Sequence, residues 1–275
     1  MIEAVYFAGI GLILGSFANV LIHRGGQNLG GRSKCPHCGR ELTWYELVPV
    51  FSWIVLRGKC RTCRANISIQ YPLVELLTAG GTLAIGLAPA PLSVRLVGIM
   101  IVLLLVCITV YDLYHTMIPD RWSYGFSALA FLSGILTVYP GTLGDALLFI
   151  IEGPLLALPL AGLWFFSGGR WMGLGDAKLV LGFGWLLGIF PGYIALSLSF
   201  CIGAFVGVFL LLPLRRARSF LSNHGITRFR LPRGGFTMRS EVPFGPFLVL
   251  GLCILWFAQL YTIDIPAYAM QALAW

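Results

Sequence analysis

The sequence predicts an all-α polytopic membrane protein of about eight transmembrane helices, with a small zinc-knuckle cytoplasmic loop domain between the first two. Three observations predict it. Of 275 residues, 58% are hydrophobic and only 11% charged, far below the roughly 25% charged usual in soluble domains. The apolar residues gather into runs long enough to cross a bilayer, and the basic residues gather into alternate gaps between those runs. Four of the seven cysteines form two C-x2-C pairs inside one such gap.

A span needs about 20 mostly apolar residues. Runs of that kind lie at 4–22, 70–88, 94–111, 120–139, 145–166, 177–190, 193–214 and 243–262. The first is expected to be retained: Glu3 stands where a signal peptide has basic residues, and no A-x-A-like cleavage site follows. The sixth is short and rich in glycine, as suits a helix packed closely on its neighbours. Val48–Leu56 is apolar but too short to cross, so it is expected to form the core of the loop domain. The chain therefore divides into a first transmembrane helix (1–23), a loop domain (24–69), a membrane core (70–262) and a C-terminal tail (263–275).

Sidedness follows from Lys and Arg. The gaps at 24–69, 112–121, 167–178 and 215–242 hold 18 of the 19 basic residues, and only Arg95 falls opposite. Eight spans put all four gaps on one side, the cytoplasmic one, with both termini outside. This distribution also explains the net charge of +8 without nucleic acid as a partner. The seven arginines of 215–242 suit a loop held inside by its charge and lying on anionic headgroups.

The same parity brings two acids to one face. Asp112 ends the third run, and Asp176 opens the sixth within Gly173-Leu174-Gly175-Asp176-Ala177-Lys178. Ionisable groups at such positions are costly and are functional-site hypotheses by default. An acid at a helix C-terminus also sits at the unfavourable end of the dipole, so Asp112 calls for a further reason. Asp176 has a plain alternative as an N-cap, with Lys178 as a snorkelling anchor. Gly173 and Gly175 leave room for backbone to approach where a Cβ would intrude. Asp120, after Ile118-Pro119, is explained by the helix dipole, and Asp145 and Asp264 read as solvated boundary residues. Two adjacent carboxylates in a low dielectric share one proton, a state suited to amide hydrolysis: one activates water and the other assists the carbonyl oxygen. The four histidines are scattered, and none lies in a nucleophile-elbow motif.

Cys35-Pro36-His37-Cys38 and Cys60-Arg61-Thr62-Cys63 are separated by 21 residues. This spacing suits a closed tetrahedral four-thiolate zinc site, structural because no coordination position stays open. The rival is disulfide or redox chemistry, which a cytoplasmic location disfavours. Cys107, Cys201 and Cys253 lie in apolar runs and read as small core hydrophobes.

Gly173-Leu174-Gly175-Asp176 matches the G-x-G-D motif of intramembrane aspartic peptidases. With Asp112-Leu-Tyr-His-Thr-Met-Ile-Pro-Asp120, the chain resembles the type IV prepilin peptidases. Further segments fit that family in order: Gly15–Val20 with His23-Arg24, the Cys pairs, Trp44-Tyr45-Glu46, Tyr71–Leu76 and Pro243–Phe247. Gly25-Gly26 departs from the usual Leu-Pro. The resemblance implies that Asp112 and Asp176 are the catalytic pair, with Gly173, Gly175, Lys178 and Asp120 in support. It implies cleavage of the leader of prepilins or pseudopilins at the cytoplasmic face of a bacterial inner membrane. It also implies N-methylation of the new terminus with S-adenosylmethionine as donor, associated with the cysteine loop. No Gly-rich nucleotide turn is visible, so that donor enters from the resemblance alone, and Glu46 and Glu75 are the candidates for binding the amine. The alternative from another class is a zinc-stabilised scaffold or ion-coupled transporter, for which no inverted repeat is apparent.

Overall fold

Every one of the eight apolar runs forms a helix in the structure, a computed structural model that describes residues 2–25, 30–137, 142–211 and 243–261. In chain order the helices are α1 (Ile2–Arg24), a short α2 (Phe51–Val55), α3 (Gln70–Leu87), α4 (Leu92–His115), α5 (Asp120–Thr137), α6 (Leu143–Ser167), α7 (Leu174–Leu187), α8 (Ile189–Phe205) and α9 (Gly245–Tyr261). The basic loop 215–242 and the tail 263–275, with His224 and Asp264, lie outside the described residues. Among the described residues, four helices are long and apolar enough to cross a membrane: α1, α4, α6, and α8 continued to Phe209.

The helix ends follow from local chemistry. A capping box starts α6, with the Thr142 N–H donating to Asp145 Oδ2 at 3.0 Å and the Asp145 N–H to Thr142 Oγ1 at 3.2 Å. Asp145 therefore completes the capping box of Thr142, beyond the plain boundary residue expected. Gly168, at φ +60, closes the same helix in the left-handed region. Pro119 precedes α5, and its carbonyl takes the Trp122 N–H.

Between lipid-soluble helices there is little hydrophobic drive, so close packing of small residues does the holding. Gly11 and Gly15, one turn apart on α1, face α3. A Cβ on Gly15 would lie 2.6 Å from the Glu75 Cα, and one on Gly11 would lie 2.6 Å from the Ala79 Cα. Asn19 ties the two helices further, its Nδ2 donating to the Tyr71 carbonyl at 3.1 Å and the Gly15 carbonyl at 3.3 Å. The centre of the bundle is α4, whose Ile101, Leu105, Cys107 and Ile108 are buried and which touches α1, α3, α5 and α9. Large apolar side chains such as Leu148, Leu158, Phe165 and Phe166 of α6 point outward, as lipid-facing residues do.

Three expectations need correction. The third span was expected to stop at 111, but α4 runs to His115, so Asp112 sits inside its last turn. Cys201 is exposed on α8, unlike the buried Cys107, because the outer face of a membrane helix is itself apolar. Val48–Leu56 forms no core: Phe51, Ile54 and Val55 of α2 are exposed. Too little chain surrounds that segment to bury it, and the four cysteines organise the loop instead.

Candidate active site and metal centre

Asp112 is buried, with 4% of its surface exposed. The last turn of α4 closes over it: Thr116 adopts φ +51, and its N–H donates to the Asp112 carbonyl at 2.8 Å. The carboxylate turns away to α9, where the Gly245 N–H donates to Oδ2 at 2.9 Å. This answers the anomaly of an acid at a helix C-terminus. The negative end of α4 disfavours the charge, and the positive N-terminal end of α9 offsets it. A Cβ at 245 would lie 2.7 Å from the same oxygen, so only glycine brings its backbone this close.

Asp176 stands in the first turn of α7, whose N-cap is Gly173. It is therefore not the cap that the simpler alternative required. The Asp176 N–H donates to the Gly173 carbonyl at 3.3 Å, and Asp112 is near enough to act on Asp176 electrostatically. Asp112 and Asp176 stand on helices that share α5 and α9 as neighbours. Gly175 is needed for a close approach, since a Cβ there would lie 3.3 Å from Ile118 Cβ. A Cβ on Gly173 would be in ordinary contact, 3.6 Å from Asp176 Oδ2 and 3.9 Å from the Gly175 nitrogen.

Asp120 and Lys178 form an ion pair at 2.7 Å, and Lys178 also lies over the Tyr124 ring at 5.3 Å. This contact joins the start of α5 to the start of α7, two residues beyond Asp176. A second tie runs alongside, with Ser127 Oγ donating to the Lys178 carbonyl at 3.3 Å. Asp120 therefore has a partner as well as a helix dipole.

The four loop cysteines converge. The Sγ atoms of Cys35, Cys38, Cys60 and Cys63 lie within 4.8 Å of one another, with Cys35 and Cys63 3.9 Å apart. Zinc–sulfur bonds of about 2.3 Å in a tetrahedron set sulfurs about 3.8 Å apart, so the donor set fits zinc. The two halves repeat one another. Cys35 N–H donates to the Arg40 carbonyl and Cys60 N–H to the Ala65 carbonyl; Gly39 N–H donates to Cys35 and Arg64 N–H to Cys60. Gly39 and Arg64 occupy matching left-handed positions at φ +69 and +56.

The Cys38 and His37 N–H groups hold the Cys35 thiol below its ordinary range. The Cys63 and Thr62 N–H groups hold Cys60 down at about 6. For Cys63 the Ala65 N–H works in the same direction, but burial and the neighbouring thiols outweigh it and hold that thiol up at about 11. Four sulfurs this close cannot all ionise without a cation among them.

A cavity of about 580 Å³ opens between this loop and the adjoining ends of α1 and α3. Glu46 and Glu75 both line it, but they differ. Glu46 is engaged on both oxygens, Oε1 by Arg40 and Oε2 by the Thr43 N–H and hydroxyl. Burial works against its charge, yet the Thr43 and Arg40 donors outweigh it and hold the carboxyl below the usual range. Glu75 has no cationic partner among the described residues; it accepts the Val50 N–H at 2.6 Å.

Sequence reasoning missed two participants. Gly245 was only part of a quoted segment, because a backbone N–H reaching Asp112 from 133 residues away leaves no local pattern. Asn19 was likewise only part of a motif; an Asn in the last third of an apolar helix was the available signal.

Comparison with known proteins agrees over most of the chain. Residues 10–88 match the bacterial peptidase A24 N-terminal domain, and residues 99–208 match the type IV leader peptidase family. The chain is similar to the prepilin leader peptidase/N-methyltransferase of Aeromonas hydrophila, 35% identical over 234 residues, which are 82% of this chain and 71% of the relative. It is 33% identical to the Bacillus subtilis protein of the same name over 76% of this chain and 83% of that one. It is also 31% identical to the type 4 prepilin-like proteins leader peptide-processing enzyme of Escherichia coli O78:H11, over 88% of both chains. No solved structure matches. With Asp112 and the G-x-G-D turn at its centre, the chain belongs to the type IV leader peptidase family.

Proposed function

We propose that the chain is a membrane-embedded aspartic endopeptidase that removes the leader of prepilins or pseudopilins and N-methylates the residue left at the new terminus. The names of its relatives supply the reaction. The observation that carries the assignment to residues is the buried Asp112, fixed by Gly245 and within the field of Asp176.

In this reading one proton is shared by the pair. The unprotonated carboxylate takes a proton from water as the oxygen attacks the scissile carbonyl, while the protonated one donates to the carbonyl oxygen. Reversal of these roles protonates the leaving amine and frees it, with no covalent enzyme intermediate. Burial of Asp112 excludes bulk water, and Gly245 holds the carboxylate in one orientation. The Asp120–Lys178 pair holds the start of α7 and so positions Asp176.

The eight helices serve as eight spans, with the loop domain and the two acids on the cytoplasmic side and both termini outside. At 14 residues, α7 is about 21 Å long, short of the roughly 30 Å hydrocarbon core. Its N-terminal acid is therefore sunk below the surface, where an extended substrate must enter to be cut.

Zinc, held by Cys35, Cys38, Cys60 and Cys63, folds the loop domain and takes no part in the chemistry. S-adenosylmethionine supplies an electrophilic methyl group when bound, and the cavity beside the cysteine loop is of a size for such a ligand. Incubating the purified chain with one prepilin and the methyl donor, then measuring intact masses, tests both halves. Loss of the leader and gain of one methyl group are expected; an unprocessed prepilin would contradict the peptidase.

A further inference from the structure

The cavity between the cysteine loop and the ends of α1 and α3 holds two acceptors that the peptidase mechanism leaves unused. Asn19 lines it and is 94% buried, at 6% exposure. Both hydrogen-bond partners of its amide nitrogen are carbonyls, of Gly15 and Tyr71, so the orientation of the amide is fixed. Its Oδ1 is then left buried with no partner. An unsatisfied buried acceptor costs about 1–3 kcal/mol and asks for a donor. Glu75, one turn beyond Tyr71 on α3, lines the same cavity, is 8% exposed and makes no ion pair among the described residues. The Val50 N–H that it accepts comes from a β-branched residue at φ +59, a conformation such residues rarely adopt. Strain of this kind persists only where surrounding structure imposes it.

A carboxylate that accepts from the Val50 N–H and the Ser16 hydroxyl but has no cationic partner among the described residues, lining the same cavity as an orphan amide oxygen, suits a group with several N–H donors and a positive charge. A primary ammonium has three donors and one charge. The walls above carry the opposite sign, with Arg32, Lys34 and Arg61 in the lining, and they suit a ligand carboxylate. The end of α1 that lines this cavity runs on to Gly25, where a Cβ would lie 3.8 Å from the hydroxyl of Tyr111 on α4.

We propose that Asn19 and Glu75 form the binding floor for the newly exposed N-terminal ammonium of the cleaved substrate, with Glu75 as the base for methyl transfer. This rests on the methyltransferase half of the proposed function. The ammonium gives one proton to the Glu75 carboxylate. The freed lone pair on nitrogen forms the N–C bond to the donor's methyl carbon as the S–C bond breaks, and the bonding pair stays on sulfur, which becomes a neutral thioether. The product is an N-methylammonium, and Glu75 returns its proton to water. The Asn19 oxygen holds a second N–H and turns the lone pair toward the methyl group.

The test uses the purified full chain with zinc retained, one prepilin and S-adenosylmethionine, comparing wild type with Glu75→Gln and Glu75→Asp. Leader removal and methyl incorporation are measured separately. Binding of a leaderless pilin N-terminal peptide, free or acetylated, is measured with no methyl donor present. Glu75→Gln is expected to retain leader removal and to methylate about 100-fold or more slowly relative to its own rate of leader removal. It is also expected to lose the preference for the free amine, which Glu75→Asp recovers in part. Unchanged methylation in Glu75→Gln, a retained preference for the free amine, or loss of cleavage together with methylation would overturn the proposal. Absence of methylation by wild type would contradict the methyltransferase reading itself and the inference with it.

Discussion

The Gly245 N–H donates to Asp112 Oδ2 across 2.9 Å, joining the first residue of α9 to the last turn of α4. This bond places the positive end of one helix against an acid stranded at the negative end of another. It makes α9 part of the proposed cutting site, although α9 contributes only a backbone N–H to Asp112.

Gly245→Ala is accordingly expected to lower the rate of leader cleavage by more than about tenfold, because the added Cβ would sit 2.7 Å from the Asp112 oxygen and push it off its donor. Gly80→Ala is the control, since a Cβ there meets nothing within 4 Å. It is expected to keep activity and to gain roughly 0.5–1 kcal/mol in its helix. Initial cleavage rates and thermal melts of both variants in one detergent decide the matter.

The Asp120–Lys178 pair is a positioning contact more than a source of stability. Asp120 is largely exposed, and such pairs contribute about 0–1 kcal/mol. Asp120→Asn and Lys178→Met are each expected to change melting little and to reduce kcat severalfold with KM nearly unchanged. The double variant is expected to be no worse than either single one. Additive losses in kcat would show that the two residues act separately.

Metal analysis of the purified chain is expected to find about one zinc per chain, with Cys35→Ser and Cys60→Ser each depleted of it. Chelation is expected to unfold the loop and abolish methylation, since a loop with an exposed apolar segment has little else to hold it. Cys107→Ser, which alters a buried thiol remote from the cluster, is expected to keep its zinc. Full zinc in Cys60→Ser would contradict the four-sulfur site.

The two knuckles are matched except where Arg64 takes the left-handed position that Gly39 fills in the other. A non-glycine residue there costs about 1–2 kcal/mol. Arg64→Gly is expected to slow zinc loss to a chelator, while Gly39→Arg hastens it. Exchange rates measured with a chromogenic chelator check both.

Much of this was legible in the sequence because it is periodic or local. Each of the eight apolar runs coincides with a helix, four of them long and apolar enough to cross a membrane among the described residues, and two C-x2-C pairs predicted the cysteine cluster. The G-x-G-D turn singled out Asp176, which stands in the first turn of α7. What escaped was non-local. The Gly245 donor, the Lys178 partner of Asp120 and the orphan oxygen of Asn19 each depend on where a distant helix end comes to rest. The boundary of α4 escaped for another reason: Asp112 and His115 look like loop by polarity, yet Asp112 is buried and the helix runs on to His115, where Thr116 caps it in the left-handed region. Val48–Leu56 misled in the opposite sense, since an apolar segment in a small loop has nothing to be buried under.

The central claim is that Asp112 and Asp176 cut the substrate together, and the direct measurement is the cleavage rate of a purified prepilin by wild type, Asp112→Asn, Asp176→Asn and the double variant. Each single variant is expected to lose at least about 1,000-fold while remaining folded, inserted and zinc-bound, and the double variant to lose no more than either. Leader removal near the wild-type rate by either single variant would contradict the account.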